Sequence, residues 1–257
     1  MSLLQDQAVV LARVDYSETS QVIAFFTRGH GKVRAIAKGI KRSTKKRFAA
    51  GLDLLEIGEV VVSAREAHGG LATLTEWKQS RGLLGLREKL FRIHAGLYVA
   101  ELANRLTEDA DPHPMLFDAL VGALLALGDA AEPLGVVVPY QRALLESIGS
   151  MPRFDACVAC GRMDDLSHFS SHEGGMICRH CEPSRVEKRE VAASVLSRLR
   201  FDESPPGAAA PRDQALVGAF DLFDYHLSHL MGRRAETSEK IVPLSERSVI
   251  RPQHTAN

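Results

Sequence analysis

The sequence has no excess of charge, few aromatic residues and no long apolar run, and each shortage removes a class of protein. Lysine and arginine total 32 and aspartate and glutamate also 32, so the bulk charge offers no general attraction to a polyanion. No stretch reaches the roughly 18 consecutive apolar residues of a membrane span. The nearest, Met115 to Leu127, is interrupted by Asp118. The first residues, Met1 to Val14, carry Asp6 and lack a basic stretch ahead of an apolar core, which predicts no signal peptide and a cytoplasmic location. No segment repeats another. What remains is a chain of 257 residues, 45% hydrophobic and 25% charged, long enough for two or three small domains.

The charge is unevenly placed. Between Arg28 and Arg47 stand nine basic residues and no acid, so the rest of the chain carries a formal charge of minus nine. A run of this kind is commonly a solvated face. Here it begins on a candidate strand, where a period of two puts Lys32, Arg34 and Lys38 on one face with Ile36 and predicts that their charge meets solvent. It then spreads into Gly39 to Arg47, whose Ser43 and Thr44 predict a mobile loop able to follow a phosphate backbone. Phe25, Phe26 and Phe48 flank the run, and a ring left exposed there would stack on a base, although buried phenylalanine is the commoner outcome.

Apolar periodicity divides the chain. Runs at Ala8 to Val14, Val22 to Thr27, Lys32 to Lys38, Leu54 to Val62 and Leu71 to Trp77, punctuated by glycine, predict five short strands in a small barrel or sandwich, and an OB-type barrel fits that count. Beyond Ser80 the spacing of Leu83, Leu86, Leu90, Ile93 and Leu97 predicts one long amphipathic helix continuing to Leu106. Asp111 and Pro112 read as the N-cap and first turn of a second helix with a stripe of Leu116, Leu120, Leu124 and Leu127. A third begins or kinks at Pro139 and stops at Gly149. Two further helices are expected around Val191 to Leu199 and Leu216 to Leu230, followed from about Gly232 by a loosely held tail.

All four cysteines occur as Cys157-x-x-Cys160 and Cys178-x-x-Cys181, with 17 residues between the pairs. That spacing reads as one zinc site, because each two-residue gap lets a tight knuckle aim two thiolates at the same ion. Four protein ligands leave no open position, so the site is expected to close a fold rather than activate water. His168, His172 and His180 lie nearby and read as ordinary surface or hydrogen-bonded histidines. A zinc-dependent nuclease or deaminase would need an open metal position with an acid-base partner, for which His172 and Glu173 are the neighbours at hand; neither an open position nor a His-x-Glu pairing appears. A protein-only adaptor using the zinc module and helices is the remaining alternative.

Several local motifs stand in a specific order: Tyr16-Ser17-Glu18-Thr19-Ser20, Phe26-Thr27, Gly31-Lys32, Ala37-Lys38-Gly39-Ile40-Lys41-Arg42, Leu144-Leu145-Glu146 with Gly149, Cys157-x-x-Cys160-Gly161, Phe169-Ser170, Gly174-Gly175 and Cys178-x-x-Cys181. Together they resemble the bacterial RecO family of recombination mediator proteins over nearly the whole chain. The resemblance implies an N-terminal OB fold, a helical domain and an inserted zinc module, which agrees with the organisation read above: an α+β chain with an OB-type barrel over residues 1–80, a helical domain over 81–152 and 187–235, a four-cysteine zinc module at 153–186 and a flexible tail over 236–257. It implies binding rather than turnover: contact with single- and double-stranded DNA, annealing of complementary strands, and cooperation with RecR to load RecA onto DNA coated by single-strand-binding protein, at the bacterial nucleoid. Lys38, Lys41 and Arg42 match the family's basic motif, and the DNA-contact role extends to Lys32, Arg34, Lys45, Lys46 and Arg47 by charge and proximity. If about five to seven such cations reach phosphates, the logarithmic salt slope of binding is roughly minus four to minus six. The family also docks the acidic, phenylalanine-ended tail of single-strand-binding protein on its helical domain. Arg142 near Leu145 is the candidate for that pocket, although Pro139 enters there and the arginine stands one position from the family pattern.

Overall fold

The structure, a computed structural model, describes residues 2–40, 52–64, 71–201 and 212–247. The chain divides into two compact units, Met1–Asp129 and Ala130–Asn257. The boundary falls inside the helical region that the sequence pattern treats as one domain, because the first helices pack with the barrel and the later ones with the cysteine-bearing segment.

In the first unit, strands β1 (Ser2–Asp15), β2 (Gln21–Thr27), β3 (Gly31–Ala37), β4 (Ile57–Ala64) and β5 (Ala72–Arg81) close into a barrel of order β1-β2-β3-β5-β4, which is the OB-type arrangement. Closure depends on β1, which pairs with β4 over Ser2 to Val9 and with β2 over Ala8 to Asp15. Its register shifts between Val10 and Ala12, and such a bulge bends a strand enough to serve two neighbours. Alternation fills the interior with Ala8, Val10, Ile23, Phe25, Ala35, Ala37, Val60, Val62 and Leu74. Phe25 meets Trp77 there, ring centroids 5.4 Å apart.

The adjacent Phe26 points the other way and is also fully buried, with its ring 6.1 Å from that of Phe117. Neither phenylalanine is therefore available to a base. Phe117 belongs to α3 (Pro114–Asp129), preceded by α1 (Leu84–Arg87) and α2 (Leu90–Leu106). The single helix expected over this region is broken at Glu88 and Lys89, where Lys89 is extended. Arg92 supplies the reason: its Nη1 donates to the carbonyl of Gly85 at 3.0 Å and to that of Gly128, capturing the ends of α1 and α3 together. Asp111 and Pro112 likewise precede α3 instead of capping it. Gly31 packs so tightly on Asp111 that a Cβ would stand 2.2 Å from its carbonyl oxygen.

The second unit packs α4 (Leu134–Ser147) and α5 (Ala193–Phe201) on α6 (Gln214–Met231). Helix α4 runs through Pro139, and Gly149 follows its end with φ +69° while Ser150 N–H bonds back to the Leu145 carbonyl at 2.8 Å. Between α4 and α5 lies a small sheet of order β7-β6-β8, built from β6 (Leu166–Ser170), β7 (Gly175–Cys178) and β8 (Arg189–Glu190). The expected loose tail is instead tied down as far as Arg247. After α7 (Ser238–Ile241), Arg247 is buried and pairs with Asp224 at 2.7 Å and Asp221 at 3.2 Å on α6.

Candidate nucleic-acid interface and metal centre

The outer face of the barrel passes from covered to open along β2 and β3. The register sets Lys32 beside Phe26, Arg34 beside Ala24 and Ile36 beside Val22. At the first rung the helices cover the sheet, so Lys32 is only 6% exposed, and its Nζ donates to the carbonyls of Asn104 and Thr107, each at 2.7 Å. This corrects the expectation for Lys32. Its ammonium satisfies carbonyls at the C-terminal end of α2, where a cation is favoured, and it is not presented to solvent.

One rung on, Arg34 is exposed and its Nε lies 3.3 Å from Asp109. The segment carrying Asp109 runs beside β3 and is fixed by Ala110 N–H donating to the Lys32 carbonyl at 3.0 Å. Beyond the strand, Lys38 is exposed and has no carboxylate partner among the described residues. Lys41, Arg42, Lys45, Lys46 and Arg47, together with Phe48, lie outside the described residues. Arg34 is thus exposed on the outer face of β3, whereas the strand ends at Ala37, so Lys38 is exposed in the turn that follows and not on the strand face the alternation predicts for it.

A larger hollow of about 780 Å³ opens elsewhere in this unit, lined by Arg13, Asp53, Glu56, Leu84 and Arg87 among others. Its two arginines both pair with Asp53, at 3.4 and 2.9 Å, which leaves little charge to attract phosphate.

In the second unit all four cysteine Sγ atoms lie within 4.8 Å of one another. Two knuckles place them. Gly161 follows the first pair with φ +78° and donates to the Cys157 carbonyl at 2.8 Å, and Cys181 N–H donates to the Cys178 carbonyl at 3.0 Å. The separation of Cys160 and Cys178 Sγ, 3.7 Å, fits the edge of a tetrahedral thiolate site, about 3.8 Å for metal–sulfur bonds of about 2.3 Å.

The thiols differ in acidity. Burial pushes Cys157 up, but backbone N–H groups, that of Cys178 foremost, outweigh it and bring the thiol down to about 6. Hydrogen bonding to Cys160, then burial and the other nearby thiols, push the Cys181 thiol up to about 12. Four sulfurs this close cannot all ionise without a countercharge, and a divalent cation supplies one. The cluster can hold a metal ion, and no histidine belongs to it.

Comparison with known proteins agrees with both halves. Residues 1–82 match the family model "Recombination protein O N terminal" and residues 87–239 match "Recombination protein O C terminal". A DNA repair protein RecO of Myxococcus xanthus is 34% identical over 241 residues, covering 92% of this chain and 96% of its own. One from Anaeromyxobacter dehalogenans is 36% identical, covering 88% and 91% of the two chains. One from Bacillus subtilis is 29% identical, covering 90% of each. The chain belongs to the RecO family.

The residues expected to form the RecO partner pocket separate. Leu145 is fully buried. Arg142 does line a cavity of about 470 Å³, but its apolar wall comes from Met151, Phe154, Met163, Leu199 and Phe201. The Arg142 guanidinium is held over the Phe223 ring, 5.9 Å from its centroid, and donates to the Leu199 carbonyl. The remaining cations on the cavity wall are Arg153 and Arg200. Helical spacing had no means of finding this wall, since it is assembled from a loop, the cysteine segment and the end of α5. Among the described residues no helix is long and apolar enough to cross a membrane.

Proposed function

We propose that this RecO-family protein is a DNA-binding recombination mediator: it anneals complementary strands and, with RecR, helps load RecA onto DNA coated by single-strand-binding protein in the bacterial cytoplasm. The observation that carries the reading is the open end of the OB-type barrel, where Arg34 on β3 and Lys38 in the turn after it are both exposed, and the sequence continues into the basic run from Lys41 to Arg47. Cations held there neutralise phosphates on two strands at once, lower their mutual repulsion and let base pairing proceed. No covalent step is required, so no catalytic residue is assigned.

The metal is zinc, held by Cys157, Cys160, Cys178 and Cys181 in a closed site that fixes the loops of the second unit. The pocket beside Arg142 takes the acidic, phenylalanine-ended tail of single-strand-binding protein. Met151, Phe154 and Phe201 supply a hole for the ring, while Arg142 and Arg200 supply positive charge, Arg153 being paired with Asp155 of the same wall at 2.9 Å.

The test is annealing of complementary oligonucleotides coated with single-strand-binding protein, comparing the wild type with a variant in which Lys38, Lys41 and Arg42 are all changed to alanine. Annealing is expected to fall while circular dichroism and metal content stay unchanged. A wild type that neither binds nor anneals DNA overturns the reading and leaves the protein-only adaptor in its place.

A further inference from the structure

The basic face also carries apolar groups whose exposure the phosphate contacts do not explain. Strand register places Val14 beside Val22 and Val22 beside Ile36, making one row across the outer face of β1, β2 and β3. Side chains two apart share a face, so Arg34 flanks this row on β3, and Lys38 is exposed in the turn that follows the strand. Tyr16 follows the end of β1 at Asp15, two residues after Val14. The ladder continues to it, because Tyr16 N–H donates to the Ser20 carbonyl at 3.0 Å. Tyr16 is 67% exposed and Val14 66%.

The loop that presents Tyr16 is built, not slack. Ser17 Oγ accepts from the N–H groups of Ser20 at 3.2 Å and Thr19 at 3.4 Å, and Ser17 N–H donates to the Ser20 carbonyl at 3.2 Å. Such internal bonding holds the backbone of the loop in a defined turn at the barrel edge before any ligand arrives. The loop joins β1 to β2, one of the loops with which OB barrels contact oligonucleotides. Its own charges are the acids Asp15 and Glu18, so it is a poor phosphate site. What it offers a nucleic acid is a π-face and a neighbouring apolar strip.

We propose that Tyr16 is a base-stacking residue, and that Tyr16, Val14, Val22 and Ile36 form a platform for unpaired nucleobases while Arg34 and Lys38 hold the adjoining phosphates. This rests on the DNA-binding reading above and makes it more specific. A duplex hides its base faces and cannot use the platform, so the platform favours single strands. Stacking is insensitive to salt, whereas the phosphate contacts are not. The platform therefore adds affinity without adding to the salt slope.

The experiment measures binding of the full chain to three probes of equal length: a thymidine oligonucleotide, the same backbone with abasic sites throughout, and a duplex. The chains compared are the wild type, Tyr16→Ala and Tyr16→Phe. Tyr16→Ala is expected to weaken binding to the thymidine strand about tenfold at an unchanged salt slope. It leaves abasic and duplex binding as they were, and Tyr16→Phe restores the loss. Equal losses on all three probes, or no loss on the thymidine strand, overturn the stacking role while leaving the DNA-binding reading standing. A wild type that binds none of the probes overturns both.

Discussion

The carboxylate of Asp109 lies 3.3 Å from Nε of Arg34, on the face of the barrel from which a phosphate would approach. The same carboxylate group is 3.5 Å from Nζ of Lys32. Both Arg34 and Asp109 are about half exposed, at 56% and 44%, so the pair is worth at most about 1 kcal/mol and yields readily to a polyanion. Asp109 thus acts as a weak competitor for the cation that DNA would use.

Asp109→Asn is therefore expected to raise affinity for single-stranded DNA about two- to fivefold and to steepen the salt slope by up to about one, because Arg34 becomes an additional free cation. Fluorescence anisotropy titrations at several salt concentrations check this. Unchanged affinity would show that Arg34 lies off the path of the strand.

Lys32 behaves differently from the other cations. Replacing it by methionine keeps much of its volume but leaves the carbonyls of Asn104 and Thr107 without their buried donor. A loss of about 2–3 kcal/mol in stability is expected from urea unfolding. In whatever fraction remains folded, the salt slope of DNA binding is expected to stay at the wild-type value, because Lys32 never reaches a phosphate.

This contrast shows where local pattern was informative. The four cysteines were legible because two-residue knuckles act within a few residues and their chemistry is specific. The barrel was legible because strand alternation and glycine turns are local too. Lys32 was misplaced because a period of two gives its face but not what covers it, and the carbonyls it meets lie 72 and 75 residues further on. The helix break at Lys89 was hidden for the same reason: Leu83, Leu86, Leu90 and Ile93 keep a helical spacing across it, while the cause is Arg92 reaching Gly128, 36 residues away.

The tail offers a third case. Arg247 is 4% exposed on its side chain, and its partners Asp221 and Asp224 are 4% and 0% exposed. Arg247→Ala leaves two carboxylates buried without that cation and is expected to destabilise the second unit by about 3–5 kcal/mol. Limited proteolysis and urea unfolding measure the effect, with cleavage near α7 appearing first. A loss under about 1 kcal/mol would mean that this segment contributes little to the packing of α6.

For the metal centre, elemental analysis of the purified chain is expected to give one zinc per molecule. Stripping it with a strong chelator is expected to lower the thermal stability of the second unit, with recovery on adding zinc back. Cys178→Ser is expected to reproduce the loss. DNA affinity should change far less than stability, since the cations assigned to DNA belong to the first unit. A parallel fall in both would assign the cysteine module a direct part in DNA binding.

The most direct test of the central claim is the salt dependence of wild-type binding to a labelled single-stranded oligonucleotide. With Lys32 removed from the set, Arg34, Lys38 and the cations from Lys41 to Arg47 remain, and the logarithmic slope on a single strand is expected to lie between about minus three and minus five. A slope near zero, with binding intact, would contradict an interface built on those cations.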